Sequence, residues 1–273
     1  MNPELAQLIA LAAHGTAWLR SSVRSLPPAL DTKNSAFRNV RVRFELRSAV
    51  HTEPLTATTV AEWLQQLLAR NVDRIMLAPI GADERDGEHQ PLAPHLMVAF
   101  AGGAQWRFLV TSPVSLELWT ARWRNRRSVL EGTYWSEALF ESSAHSERVA
   151  PRYLDVVGAT NRLNGSLREA ADFARTRDLE PWAQQFELAL KRGTDTRPTL
   201  PTHRDILPED HPDSAKRLLA EALEAWVFGG MGSWNDVVIT GDTDRAKYDK
   251  LTSSLYAAVV DACVAAANAK PER

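Results

Sequence analysis

The sequence predicts an α+β protein: a mostly antiparallel sheet of about five strands with helices in the N-terminal half, and a helix-rich C-terminal half packed against it. Three observations lead there. Apolar residues recur at helical spacing near both ends of the chain, alternating or uniformly apolar runs cluster between residues 40 and 119, and turn-forming stretches punctuate them.

In chain order, Leu5, Leu8, Ala12, Leu19 and Val23 form one helical stripe beside Trp18, and the run stops at Leu26-Pro27-Pro28, since proline cannot continue a helix. Val40, Val42, Phe44 and Leu46 then alternate with Arg41, Arg43, Glu45 and Arg47. This is a strand with one apolar and one largely cationic face, expected in an antiparallel sheet with its charges in water. Thr59 to Glu62 has the form of a capping box, and Val60, Trp63, Leu64, Leu67 and Leu68 follow at helical spacing, which predicts a helix over 59–70. Residues 75–80 are short and apolar throughout, as in a strand buried on both faces.

The polar stretch 81–94 carries Asp83, Glu84, Asp86 and Glu88, but their spacing lacks the regularity of a hard-cation loop. Residues 96–100 and 106–110 flank Gly102-Gly103 and predict a hairpin, with a further strand over 114–119. From Tyr134 the pattern turns towards helix. The polar run 142–146 sets a boundary between an α+β region, 1–141, and a mainly helical region, 142–273, which together can form one continuous domain.

Beyond it, 153–157, 167–173 and 182–190 read as helical, the last opened by Glu180-Pro181. Residues 194–212 contain four prolines and predict an extended surface connection. His203, Asp205, Glu209, Asp210, His211 and Asp213 gather there without the helix-borne spacing of a metal site, so no metal ligands are assigned. A final helix starts near Asp242 and Asp244 and carries Tyr248, Leu251, Leu255, Val259 and Cys263.

Net charge is −2, divided as +4 over residues 1–130 and −6 over 131–273, so the halves attract each other more than they attract nucleic acid. The single Cys263 excludes an intramolecular disulfide and a cysteine-rich zinc site. With no secretory leader and no apolar run of bilayer length, the expectation is a cytoplasmic protein with no membrane partner.

Two stretches stand out as candidate sites. In the first, apolar residues Leu218, Leu219, Leu223, Trp226 and Val227 lead to a helix end expected at Gly229-Gly230. Gly229, Gly230, Gly232, Ser233, Trp234, Asn235 and Asp236 then form a loop whose glycines permit positive φ and whose bare amides suit an anion. Its spacing matches neither dinucleotide nor phosphate-loop patterns. In the second, Arg122, Trp123 and Arg124 alternate anion-pairing forks with a stacking face. The ordinary alternative puts the tryptophans in the core and the arginines on acids.

These features predict a binding or interaction protein that recognises a protein partner or a small anionic ligand through the Arg/Trp surface and the Gly-rich loop. Nucleic acid is the less favoured ligand on a slightly acidic chain. The alternative is a metal-dependent enzyme acting on a phosphate-containing or other anionic substrate, with Asp236, Asp242 and Asp244 as metal ligands or as acid and base. No cofactor is indicated and no catalytic residue is assigned.

Overall fold

A computed structural model of the chain describes residues 3–21, 30, 33–47, 55–80, 95–96, 106–113, 115–128, 133–143, 154–229 and 231–270. The prolines at 27–28, the acidic stretch 81–94, the Gly102-Gly103 turn, the run 144–146 and Gly230 lie outside them. The fold is α+β; the described residues form six helices of two turns or more and one six-stranded sheet.

Helix α1, Pro3–Arg20, buries the stripe residues Leu5, Leu8, Ala12 and Leu19, but it is enclosed on every side over residues 5–13, with Gln7, Ile9 and Leu11 buried too, and Val23 lies outside the described residues. Strands β1, Val40–Arg47, and β2, Leu55–Ala57, precede helix α2, Val60–Ala69. The start of α2 is fixed by its cap: Thr59 Oγ1 accepts from the Glu62 amide at 3.1 Å, and the Glu62 carboxylate accepts from the Thr58 amide at 2.9 Å. The reciprocal bond of the box is therefore made one residue earlier than the motif implies. Strand β3, Arg74–Pro79, is followed by β4, Trp106–Thr111, β5, Leu116–Ser128, and β6, Thr133–Ser143.

The sheet order is β2-β1-β6-β5-β4-β3, with β1 parallel to β6 and the other neighbours antiparallel. It is thus a mixed sheet of six strands, not the mostly antiparallel five-stranded one that local patterns predict. Two strands make the difference: the short β2, and β6, whose residues beyond Tyr134 read as helix. Ala138, Leu139 and the glutamates favour helix in isolation, but pairing on both edges with β1 and β5 overrides that preference. Strand β5 also runs on through the Arg/Trp stretch instead of ending near Trp119. Of the strand expected at 96–100 only Leu96 is described, and it is helical with His95; β4 pairs with β3 instead.

The inner sheet face carries an aromatic cluster: Phe44 stacks on Trp63 of α2 at 4.3 Å and on Phe140 at 4.8 Å, and Trp119 meets Trp63 edge-on at 5.6 Å. Strand β3 is at the sheet edge yet buried on both faces, and its free edge is closed by side chains. Thr16 of α1 bonds both the amide and the carbonyl of Ile75, and Asn268 does the same for Leu77. An edge so occupied offers no template for a further strand.

The C-terminal region consists of α3, Val156–Arg175; α4, Glu180–Arg192; α5, Asp213–Glu224; and α6, Asp242–Ala267. Asp155 caps α3 through the Gly158 amide, and Pro181 sits in the first turn of α4, where a missing N–H costs nothing. Among the described helices α6 alone is long and apolar enough to cross a membrane. Most of that surface is buried within the protein, in a core continuous with that of α1 and the sheet. Cys263 lies fully enclosed on this helix, and burial pushes its thiol up to about 12, which leaves it inert.

The proline-rich connection 194–212 is not the extended surface segment expected. Leu200, Ile206 and Leu207 are buried, His211 Nε2 bonds the Ala266 carbonyl at 2.8 Å, and Asp205 binds the backbone and hydroxyl of Ser35. It is a strap across α1 and α6, held by three apolar side chains that local composition does not distinguish from loop residues.

Candidate functional site

Helix α5 ends at Glu224, earlier than Gly229-Gly230, because Trp226 and Phe228 turn inward to meet the Tyr256 ring at 6.3 and 5.1 Å. The chain then bends through Gly229, φ +85°, and Gly232, φ +77°, values that side-chain-bearing residues rarely adopt. The Trp234 amide returns to the Val227 carbonyl at 3.0 Å and closes the loop.

Trp234 fixes this loop to the core. Its ring is fully buried against Trp182, Phe186 and Tyr248 at 5.1–5.5 Å, its Nε1 donates to Thr252 Oγ1 at 2.9 Å, and its carbonyl accepts from the Tyr248 hydroxyl. Asn235 Nδ2 donates to the His95 carbonyl at 2.9 Å, and the exposed Asp236 accepts from the Ser233 amide at 3.1 Å. Trp234, Asn235 and Asp236 therefore hold the loop rather than line a cavity.

What the loop does form is an open groove of about 390 Å³ against the first turn of α4. Gly229, Gly232 and Ser233 lie along it with Pro181, Trp182, Gln185, Trp226 and Met231. Met231 is fully exposed, an unusual position for a long apolar side chain, and Val238 just beyond is 83% exposed. Trp182 and Trp226, on apolar stripes in the sequence, are half-buried and present one side to the groove. Local periodicity missed Pro181, Gln185 and Met231 as lining residues. The available signal was methionine set between glycines, where nothing in the loop can cover it.

The other candidate residues separate. Arg122 and Arg124 are exposed on the outer sheet face, whereas Trp123 points to the inner face, with Nε1 on Gln7 of α1 at 2.8 Å and its ring edge-on to Phe140. Period-2 alternation puts successive residues on opposite faces, so the forks and the stacking face cannot act together. Arg122 and Arg126 meet Glu141 and Glu137 of β6 at 3.4 and 2.9 Å, and Arg41 covers Trp135 at 4.1 Å. The acids that partner these arginines come from the neighbouring strand, at the start of the acidic segment 131–273, as the ordinary alternative expects.

The acids proposed for metal chemistry are likewise apart in role. Asp244 is paired with Arg177, with Nε at 2.9 Å, and that partner holds its carboxyl below the usual carboxylate range. Asp242 is exposed in the first turn of α6, and Asp236 closes the loop. Among the described residues no three His, Cys, Asp or Glu side chains gather as a metal site would require. Ser35, His203 and Asp205 do meet, with Ser35 Oγ 3.1 Å from His203 Nδ1. The Ser35 hydroxyl and amide both bond Asp205, so the aspartate binds the serine directly instead of orienting the histidine, and the arrangement is a clamp on the strap.

No protein-family model, curated protein or solved structure matches the chain. The fold and site define an α+β protein with an aromatic-walled groove on its helical region, and the functional reading rests on that geometry.

Proposed function

We propose that the protein is an intracellular binding protein that takes an apolar or aromatic segment of a protein partner into the groove between the Gly229–Asp236 loop and α4. One observation carries this reading: none of the groove's described lining side chains is charged, and two tryptophans, a proline and an exposed methionine place apolar faces along a lining that is otherwise polar. Flat, rigid rings give contact area at low entropic cost, the flexible methionine adapts to the shape of an apolar partner, and Gln185 supplies a polar group beside them. An anion would find no cation in this lining, so the amide-lined anion site suggested by the glycines is the weaker reading. The outer arginine face is the second surface on which an acidic partner would act.

Selection of random displayed peptides on the full-length protein separates these surfaces. The expected ligands share an uncharged aromatic or aliphatic core, and Met231→Glu or Trp226→Ala weakens them about tenfold or more, while Arg122→Glu leaves them unchanged. Acidic ligands lost on Arg122→Glu and Arg124→Glu, and indifferent to Met231→Glu, would contradict the groove as the site.

A further inference from the structure

Glu221 lies within α5, whose residues from Leu218 to Leu223 are all buried. Its side chain is fully enclosed, and among the described residues neither carboxyl oxygen has a hydrogen-bond partner. An ionised carboxylate in such a place is costly, so the neutral acid is favoured. Burial pushes this carboxyl up to about 8, with the Arg168 guanidinium on α3 drawing it the other way. Other charged groups on the surrounding helices are paired elsewhere: Arg192 of α4 with Glu224 at 3.1 Å, and Asp261 of α6 with Arg162 of α3 at 3.5 Å.

Room for the carboxyl is made by Gly193, at the C-terminal end of α4. A Cβ there would overlap Glu221 Oε2 and come within 2.8 Å of its Cδ. The end of α4 thus closes directly over the acid, and Gln185 ties the same helix to the Glu224 carbonyl at 2.9 Å. Loss of the Glu221 proton would place an unsolvated charge at this contact. Because the end of α4 closes over the carboxyl, parting α4 from α5 would admit water to it, at the expense of the Gln185 and Arg192 bonds to Glu224.

We propose that the α3–α4–α5 junction is a proton-operated latch, in which the helices close on Glu221 while its carboxyl is neutral and α4 is released from α5 when the proton leaves. Because Trp182 and Gln185 of α4 wall the groove, release also opens that wall. This consequence rests on the groove being the binding site, whereas the latch does not. The folded protein holds this proton more tightly than the unfolded chain, whose carboxyl titrates near 4.5. The stability it contributes is therefore complete below that value, shrinks as pH rises, and is gone above about 8.

Urea unfolding of the full-length protein and of Glu221→Gln, from about pH 5 to about pH 9, tests the latch. The ratio of their folding constants, wild type over variant, is expected to fall about tenfold per pH unit until about pH 8 and then level. A ratio independent of pH would overturn the proposal. Amide exchange, corrected for intrinsic rates, should show α4 losing protection in the wild type above that pH and keeping it in Glu221→Gln. Loss spread evenly over all helices would also overturn it. The carboxyl ¹³C resonance of wild-type Glu221 needs no variant to fold: an inflection in the ordinary carboxylate range sinks the latch, and one well above it supports it.

Discussion

Trp234→Ala is expected to lower the unfolding free energy by about 3–5 kcal/mol, a large part of the stability of a typical domain. The ring is fully enclosed by Trp182, Phe186 and Tyr248, so its removal leaves a cavity that three other rings cannot collapse to fill. It also removes the indole's hydrogen bond to the buried Thr252 Oγ1. Trp226→Ala, at a half-buried groove position, should cost much less in stability while damaging binding more. Chemical denaturation of both variants checks the contrast. Equal losses would mean that Trp234 does not hold the loop as described.

Gly193→Ala should also destabilise, by about 1–3 kcal/mol, against the usual direction. Gly193 ends α4 with φ −63°, a conformation alanine adopts easily, and at such a position the change normally stabilises by about 0.4–1 kcal/mol. The sign reverses because the new methyl overlaps the Glu221 carboxyl, which is enclosed and has no solvent to swing into. In a Glu221→Ala background the same substitution should become neutral or stabilising. The coupling in that double-mutant cycle is the quantity to measure. Additive effects would show that the two residues do not constrain each other.

The contrast between these residues and those visible in the sequence has a physical basis. Thr59, the α2 stripe and the Pro181 start of α4 act within one or two turns, so local spacing reveals them. The place of β6 between β1 and β5 is set by pairing across most of the sheet region, and its alanine, leucine and glutamates carry no local mark of it. Glu221 is hidden in the same way: in Leu-Ala-Glu-Ala-Leu-Glu nothing separates it from the half-buried Glu224. The clue is the flanking Ala220 and Ala222, both buried, since small residues on every side let neighbouring helices close around α5. In the loop, the glycines were legible but the groove was not, because α4 supplies its other wall.

The nine tryptophans allow the central claim to be tested at single residues. Indole N–H resonances, recorded as a display-selected peptide is titrated in, should shift at Trp182 and Trp226, which wall the groove, and stay fixed at Trp63 and Trp119 in the sheet core. Shifts concentrated instead at Trp135, beneath Arg41 on the outer sheet face, would contradict the groove and move recognition to the arginines.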